Sequence, residues 1–306
     1  MVHVPSDVGA RRGAAGHMSL KLLAMRLVQP LAGRFPRVFY PVATAVGWLA
    51  FYLRRRYRRK LIQNMLPLVD RQPARAKRSA LAASVNVCQY YVDLCTLPYR
   101  NIATFDATNL EIAGADRLGP LSEPGPVIAV SAHTGNAELA IQALSVRGRP
   151  FVALVEPQRP PSWSRYLLRL RSSAGGRFYE TNFRGIRACI ETLQRGGLVG
   201  FMADRDLQGN GMCVPLAGQC VRLPRGPWEI ARRSGALVFP MFTSRLRHDR
   251  FRVYVEEPFR VARSEDEEAD ILDAIQRFAR LLETHLRRDP SQWAVTEDFW
   301  EVHRCG

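Results

Sequence analysis

Lysine is nearly absent from this chain. Of its 44 basic residues only Lys21, Lys60 and Lys77 are lysines, and the rest are arginines. The six cysteines (Cys88, Cys95, Cys189, Cys213, Cys220, Cys305) contain no CxxC pair and no Cys/His metal spacing. They read as free thiols of a reducing compartment, mostly core fillers. The other histidines (His3, His17, His248, His285, His303) are scattered away from His133 and no HExxH occurs, so no metal site is expected. The missing GxSxG excludes a nucleophile-elbow acyl-enzyme. Neither a Walker A nor a GxGxxG sequence is present. No RNP, helix-turn-helix, KH or zinc-finger pattern supports nucleic-acid binding. No apolar run reaches the roughly 20 residues of a comfortable membrane span, and the N-terminus lacks a signal-peptide core.

What is present suits a large core: 306 residues, 47% hydrophobic, with 22 Gly and 20 Pro. The formal charge of +16 attracts polyanions, whether nucleic acid, anionic lipid headgroups or phosphorylated cofactors. Codon bias in a GC-rich genome is the plain alternative for the arginines, yet arginine also suits bidentate phosphate recognition. Residues 1–18 have no period and are expected to be a disordered leader. "SLKLLAMRLVQPL" (19–31) is basic and amphipathic. "VFYPVATAVGWLAFYL" (38–53) is uncharged and runs straight into "RRRYRRK" (54–60). The reading is a pair of membrane-associated helices over 19–60, interfacial or barely spanning, with arginines against an anionic cytoplasmic leaflet. Tyr40, Trp48, Phe51, Tyr52 and Tyr57 near the ends favour an interface over a buried helix with a solvated basic tail.

From residue 74 a helix is predicted by Leu81, Val85, Cys88, Val92 and Cys95 at spacings of four and three. Strands and helices then alternate. Strands are expected at 127–132, 151–155, 176–180, 198–203, 236–242 and 250–257. Helices are expected at 137–147 (stopped by Gly148), 162–172, 183–195 and 227–234. A last helix has a Ser264/Glu267 capping box and an apolar face of Ile271, Ile275, Phe278, Leu282 and Leu286. The fold class is α/β, a mixed sheet flanked by helices on both faces, with the main domain at 61–306.

In such sheets reactive groups gather at the carboxyl ends of strands. Two ends are unusual, "SAHTGNAE" (131–138) and "MADRDLQGNG" (202–211). On one ideal helix His133 and Glu138 are about 500° apart and share no face. A turn at Gly135 puts His133 on the strand end and Glu138 in the first helical turn. There the carboxylate can approach one imidazole nitrogen and leave the other to take a hydroxyl proton. First-turn amides offer an oxyanion or phosphate site. The plain alternative is a histidine that only caps a helix. Asp204, Arg205 and Asp206 at the second end pair locally or line a polar cleft. Arg169 and Arg171 are a solvated helix face or a phosphate clamp.

"HTGNAE" resembles the HX4D/E motif of glycerolipid and glycolipid acyltransferases. "LRLRSSAG" (168–175), the long block 197–242 and "PSQWAVTEDFW" (290–300) resemble, in order, segments of the bacterial late lipid A acyltransferase family, which includes the phosphatidylinositol mannoside acyltransferases. The resemblance covers about 20–303. It implies a glycerolipid acyltransferase-like fold and transfer of a fatty acyl group from acyl-CoA or acyl-carrier protein to a lipid or sugar hydroxyl, with no cofactor beyond that co-substrate. It assigns His133 as general base, Glu138 as its orienting acid and Asp204 as a second acid, one methylene shorter than the usual Glu. It assigns Arg171, with Arg169, Arg205, Asn136 and Arg222, to substrate binding. "ADRDL" and "RLPRGP" (222–227) lie closer to the mannoside branch than to the lipid A branch. The implied place is the cytoplasmic face of the bacterial inner membrane, monotopic or single-pass, and the basic charge then serves donor phosphates and lipid rather than nucleic acid.

Overall fold

A computed structural model describes residues 20–145 and 149–305. The expected leader 1–18 and the stop at Gly148 lie outside them. The chain begins with helices α1 (Leu20–Arg34), α2 (Pro36–Leu53), α3 (Arg55–Met65), α4 (Pro73–Thr96) and α5 (Ile102–Asn109). It continues through β1 (Leu110–Ala113), β2 (Val127–Ser131), α6 (Ala137–Ser145), β3 (Phe151–Val155), α7 (Pro161–Ser172), β4 (Arg177–Glu180), α8 (Phe183–Gln194) and β5 (Leu198–Met202). Then come β6 (Met212–Leu216), β7 (Gln219–Leu223), α9 (Gly226–Ser234), β8 (Leu237–Arg247), β9 (Arg250–Val255), α10 (Glu267–Arg288) and α11 (Phe299–Val302).

Seven strands form one sheet in the order β1-β9-β8-β2-β5-β3-β4. All neighbours are parallel except β8 and β9, which makes the sheet mixed. The central strands read as unbroken apolar runs because both faces are covered. Ile128, Val130, Val199 and Phe201 join one core cluster with residues of α8, α9 and α10. Val127, Ala129 and Leu198 face the other side, against Ala140 and Ile141 of α6. Ser131 pairs with Met202 at the ends of β2 and β5. His133 and Asp204 each lie two residues beyond that pair, so the register alone brings the two unusual strand ends together.

Three readings need correction. The α10 N-cap is Asp266, whose side chain accepts from Ala269 N, while Ser264 bonds Asp270 instead of forming a capping box with Glu267. The hairpin β6–β7 was not anticipated, although buried Val214 and Leu216 alternate there with exposed Cys213 and Pro215. The cysteines are not all free thiols: Cys213 is bonded to Cys305 across 92 residues of sequence. Cys95 and Cys189 are buried fillers as expected, whereas Cys220 is exposed.

Helix α2 packs on α4 through Tyr40, Ala43, Gly47 and Phe51. Glycine at 47 is a packing requirement, since a Cβ there would lie 2.7 Å from the Val85 Cα. Ser84 Oγ donates to the Gly47 carbonyl at 2.8 Å, locking the close approach. The opposite side carries exposed Val38, Val42, Val46, Leu49 and Leu53. Among the described residues no helix is long and apolar enough to cross a membrane.

Replacing Gly47 by Leu forces α2 off α4 and is expected to cost about 1–3 kcal/mol in urea unfolding, the range typical of overpacking. Gly119→Ala, where the added methyl meets nothing within 4 Å, serves as the control. An unchanged midpoint for Gly47→Leu contradicts this packing.

Candidate active site

The loop between β2 and α6 is held from three sides. Gly135 adopts φ +55, and a Cβ there would lie 2.5 Å from the Thr243 carbonyl of β8. Its amide donates to the Gln292 carbonyl, and the His133 carbonyl accepts from Ala294 N. Asn136 Oδ1 accepts from Leu139 N at 3.1 Å, capping α6. Asn136 Nδ2 donates to Asp93 at 2.8 Å. Asp93 is buried and also accepts from Arg245 and from the Tyr40 hydroxyl. Asn136 therefore fastens the motif to α4, and it also lines the cavity described below.

His133 Nδ1 lies 2.8 Å from Asp204 Oδ1. Asp204 Oδ2 accepts from His133 N at 3.1 Å and from Trp293 Nε1 at 2.9 Å. The Asp204 side chain is 0% exposed, whereas that of His133 is 36% exposed and lines a cavity. Nε2 has no hydrogen bond among the described residues, so the ring is held at one nitrogen and open at the other. Burial opposes the imidazolium, but the charge and hydrogen bond of Asp204 outweigh it and raise the His133 pKa. Burial likewise opposes the Asp204 carboxylate, but His133 and Trp293 lower its pKa.

Glu138 stands elsewhere than the sequence suggests. Its Oε2 accepts from the Tyr90 hydroxyl at 2.7 Å and from Arg171 Nε at 2.8 Å. Arg171 Nη2 also reaches the Tyr90 oxygen at 2.8 Å, closing a triangle. The carboxylate on the histidine is thus Asp204, and Glu138 is the acid of a neighbouring Tyr90–Arg171 cluster. The five-residue spacing to Glu138 is overruled by the strand register. Burial opposes the guanidinium, but Glu138 and Tyr90 fix Arg171 as a cation.

Of the remaining arginines, Arg205 lines the cavity but is occupied by Glu297 at 2.7 Å and Glu156 at 2.9 Å. Burial works against the Glu297 carboxylate, yet His303 and Arg205 hold its pKa at about 2. Arg169 is exposed on α7 and does not line the cavity. Arg222 lies on β7 with its side chain 3.4 Å from the Gly209 carbonyl, also away from the cavity. Asp206 caps its own loop by accepting from Gln208, Gly209 and Gly211 amides. Sequence reasoning missed Trp293, Tyr90 and Asp93. Trp293 stands in the recognised closing segment, and Tyr90 and Asp93 lie on a helix read only for its apolar face.

The cavity measures about 1090 Å³. Its lining combines the polar His133, Glu138, Arg171 and Arg205 with the apolar Ile141, Phe178, Ile186, Ile190, Phe201 and Ile230. The amides of Ala137 and Glu138, both in the lining, take no hydrogen bond among the described residues. A cavity that offers both a histidine base and apolar walls suits a reacting carbonyl attached to a hydrocarbon chain.

NMR titration of His133 is expected to give a pKa above the usual histidine value of about 6.5. Asp204→Asn removes the raising charge and is expected to bring that pKa down. A pKa unmoved by Asp204→Asn contradicts the pairing.

The family model described as bacterial lipid A biosynthesis acyltransferase matches residues 17–300. The phosphatidylinositol mannoside acyltransferase of Mycolicibacterium smegmatis is 25% identical over 256 residues, 79% of each chain. Its namesake in Mycobacterium tuberculosis is 27% identical over 252 residues, 79% of this chain and 76% of that one. A solved 1-acyl-sn-glycerophosphate acyltransferase from Thermotoga maritima aligns at 15% identity with a TM-score of 0.35, covering 79% of this chain and 97% of that chain, an overlap too loose to weigh. The chain is an acyltransferase and belongs to the bacterial lipid A biosynthesis acyltransferase family.

Proposed function

We propose that the protein transfers a fatty acyl group from an acyl-CoA or acyl-carrier-protein thioester to a hydroxyl of a phosphatidylinositol mannoside-type glycolipid. The observation that carries this reading is the His133–Asp204 pair, with His133 lining a cavity that also has apolar walls. The two mycobacterial relatives, both phosphatidylinositol mannoside acyltransferases, favour the mannoside acceptor over a lipid A precursor.

Nε2 takes the proton of the acceptor hydroxyl as its oxygen attacks the thioester carbonyl. Asp204 steadies the imidazolium that forms. The Ala137 and Glu138 amides, at the start of α6, stabilise the oxyanion. The C–S bond then breaks and the leaving thiolate takes the proton from His133. No cofactor beyond the thioester takes part. Arg171, whose Nη1 carries no hydrogen bond among the described residues, presents a fixed positive charge to the donor's or acceptor's phosphate. Glu138 and Tyr90 hold that guanidinium in place.

The same reading places the protein on the cytoplasmic face of the bacterial inner membrane, lying on it through α1 and α2. The exposed apolar stripe of α2 and the exposed Arg54, Arg55, Arg56 and Arg59 just after it support a surface-bound helix pair at an anionic bilayer.

The test is transfer from labelled palmitoyl-CoA or its carrier-protein equivalent to phosphatidylinositol mannosides, a lipid A precursor and lysophospholipids offered separately. Product is expected on the mannosides, falling about 10²–10⁴-fold in His133→Ala. Activity is expected to fall as pH drops through the raised His133 pKa, because only the neutral ring accepts a proton. Product on the lipid A precursor alone would move the acceptor to the other branch. An unchanged rate in His133→Ala contradicts the mechanism. Leu49→Glu with Leu53→Glu is expected to weaken sedimentation with anionic vesicles while transfer to a detergent-dispersed acceptor persists.

A further inference from the structure

The central block and the C-terminus meet at a feature that acyl transfer does not use. Cys213 on β6, Cys220 on β7 and Cys305 beyond α11 have sulfurs all within 4.8 Å of one another. Backbone pairing brings them there. Pro215 lies opposite Cys220 in the hairpin. The C-terminal segment runs beside β7, with Val221 bridged to Arg304 and Cys305 N donating to the Cys220 carbonyl at 3.3 Å. Cys213 and Cys220 are exposed and Cys305 is half-buried, so the cluster opens to solvent.

A disulfide that only staples the C-terminus needs two cysteines, yet a third sulfur stands within reach of both. In a reducing compartment the resting form of such a cluster is three thiols. Three thiolates are the donor set of a soft d10 cation. At the usual Zn–S distance of about 2.3 Å, neighbouring sulfurs of a tetrahedral ion lie about 3.8 Å apart. Opening the disulfide lets the Cys213 and Cys305 sulfurs separate towards that spacing, and the Cys220 sulfur already lies within 4.8 Å of both.

The geometry points to a thiolate site for Zn2+ formed by Cys213, Cys220 and Cys305 once the disulfide is reduced. A dithiol reductant delivers two electrons and two protons and opens the Cys213–Cys305 bond. Zn2+ then displaces three thiol protons and keeps its fourth position for water or an added ligand. The consequence is structural. Upstream of Cys305 the same segment carries Glu297, which holds Arg205, and Trp293, which holds Asp204. Disulfide or metal, the clasp fastens this segment to the hairpin in either redox state.

The test titrates the full chain with Co2+, as a spectroscopic stand-in for Zn2+, after reduction with a phosphine under argon. One equivalent is expected to produce an intense thiolate-to-Co2+ charge-transfer band with the visible bands of a tetrahedral ion, and Zn2+ to bleach both. Unreduced protein is expected to show neither. Cys220→Ser is expected to weaken Co2+ binding by on the order of ten-fold or more, whereas Cys88→Ser, outside the cluster, leaves it unchanged. Circular dichroism confirms that the variants fold, with Cys220→Ala as the second variant. Reduced protein without a thiolate band, or a band indifferent to both Cys220 substitutions, overturns the proposal and leaves a plain disulfide.

Discussion

A fully buried carboxylate must be paired, and Asp204 is the residue on which the rest of this site depends. Leaving such a charge without partners inside a protein is costly. Here three donors meet it: the imidazole and amide of His133 and the indole of Trp293. Two come from the neighbouring strand end through the β2–β5 register. The third arrives from residue 293, along a segment that Asn64 secures by donating to the Val295 and Glu297 carbonyls and accepting from Phe299 N. The His133 ring is therefore positioned by residues far apart in sequence.

A second buried ion pair anchors the other side of the motif. Arg245 of β8 and Asp93 of α4 are each almost fully buried and 2.5 Å apart. Asp93 also holds Asn136 of the motif and Tyr40 of α2. The helix bearing the exposed apolar stripe is thus tied through one carboxylate to the loop carrying His133. Removing Asp93 would strand the buried Arg245 charge as well as the motif, so its role in positioning cannot be separated from its role in folding by deletion alone.

Much of the fold was legible because central strands buried on both faces read as apolar runs and the helices carry clear apolar faces. The alternating order followed, and with it the strand ends where His133 and Asp204 sit. Which acid serves His133 was not legible. An expected turn at Gly135 favoured Glu138 as the acid at the ring, but a contact between strands is set by register, and the pairing of Ser131 with Met202 favours Asp204. The resemblance put Arg171 ahead of Arg169, and the helical rotation of α7 turns only Arg171 inward. The cysteines misled for a related reason. Metal and disulfide spacings are local patterns, whereas Cys213, Cys220 and Cys305 are gathered by a hairpin and the C-terminal segment beside it.

The most direct test of the central claim is a double-mutant cycle on the rate of acyl transfer, with His133→Ala, Asp204→Asn and both together. If Asp204 acts through His133, the double variant loses no more activity than His133→Ala alone. Losses that multiply would mean that the two residues act separately, and would contradict a base held and polarised by the buried carboxylate.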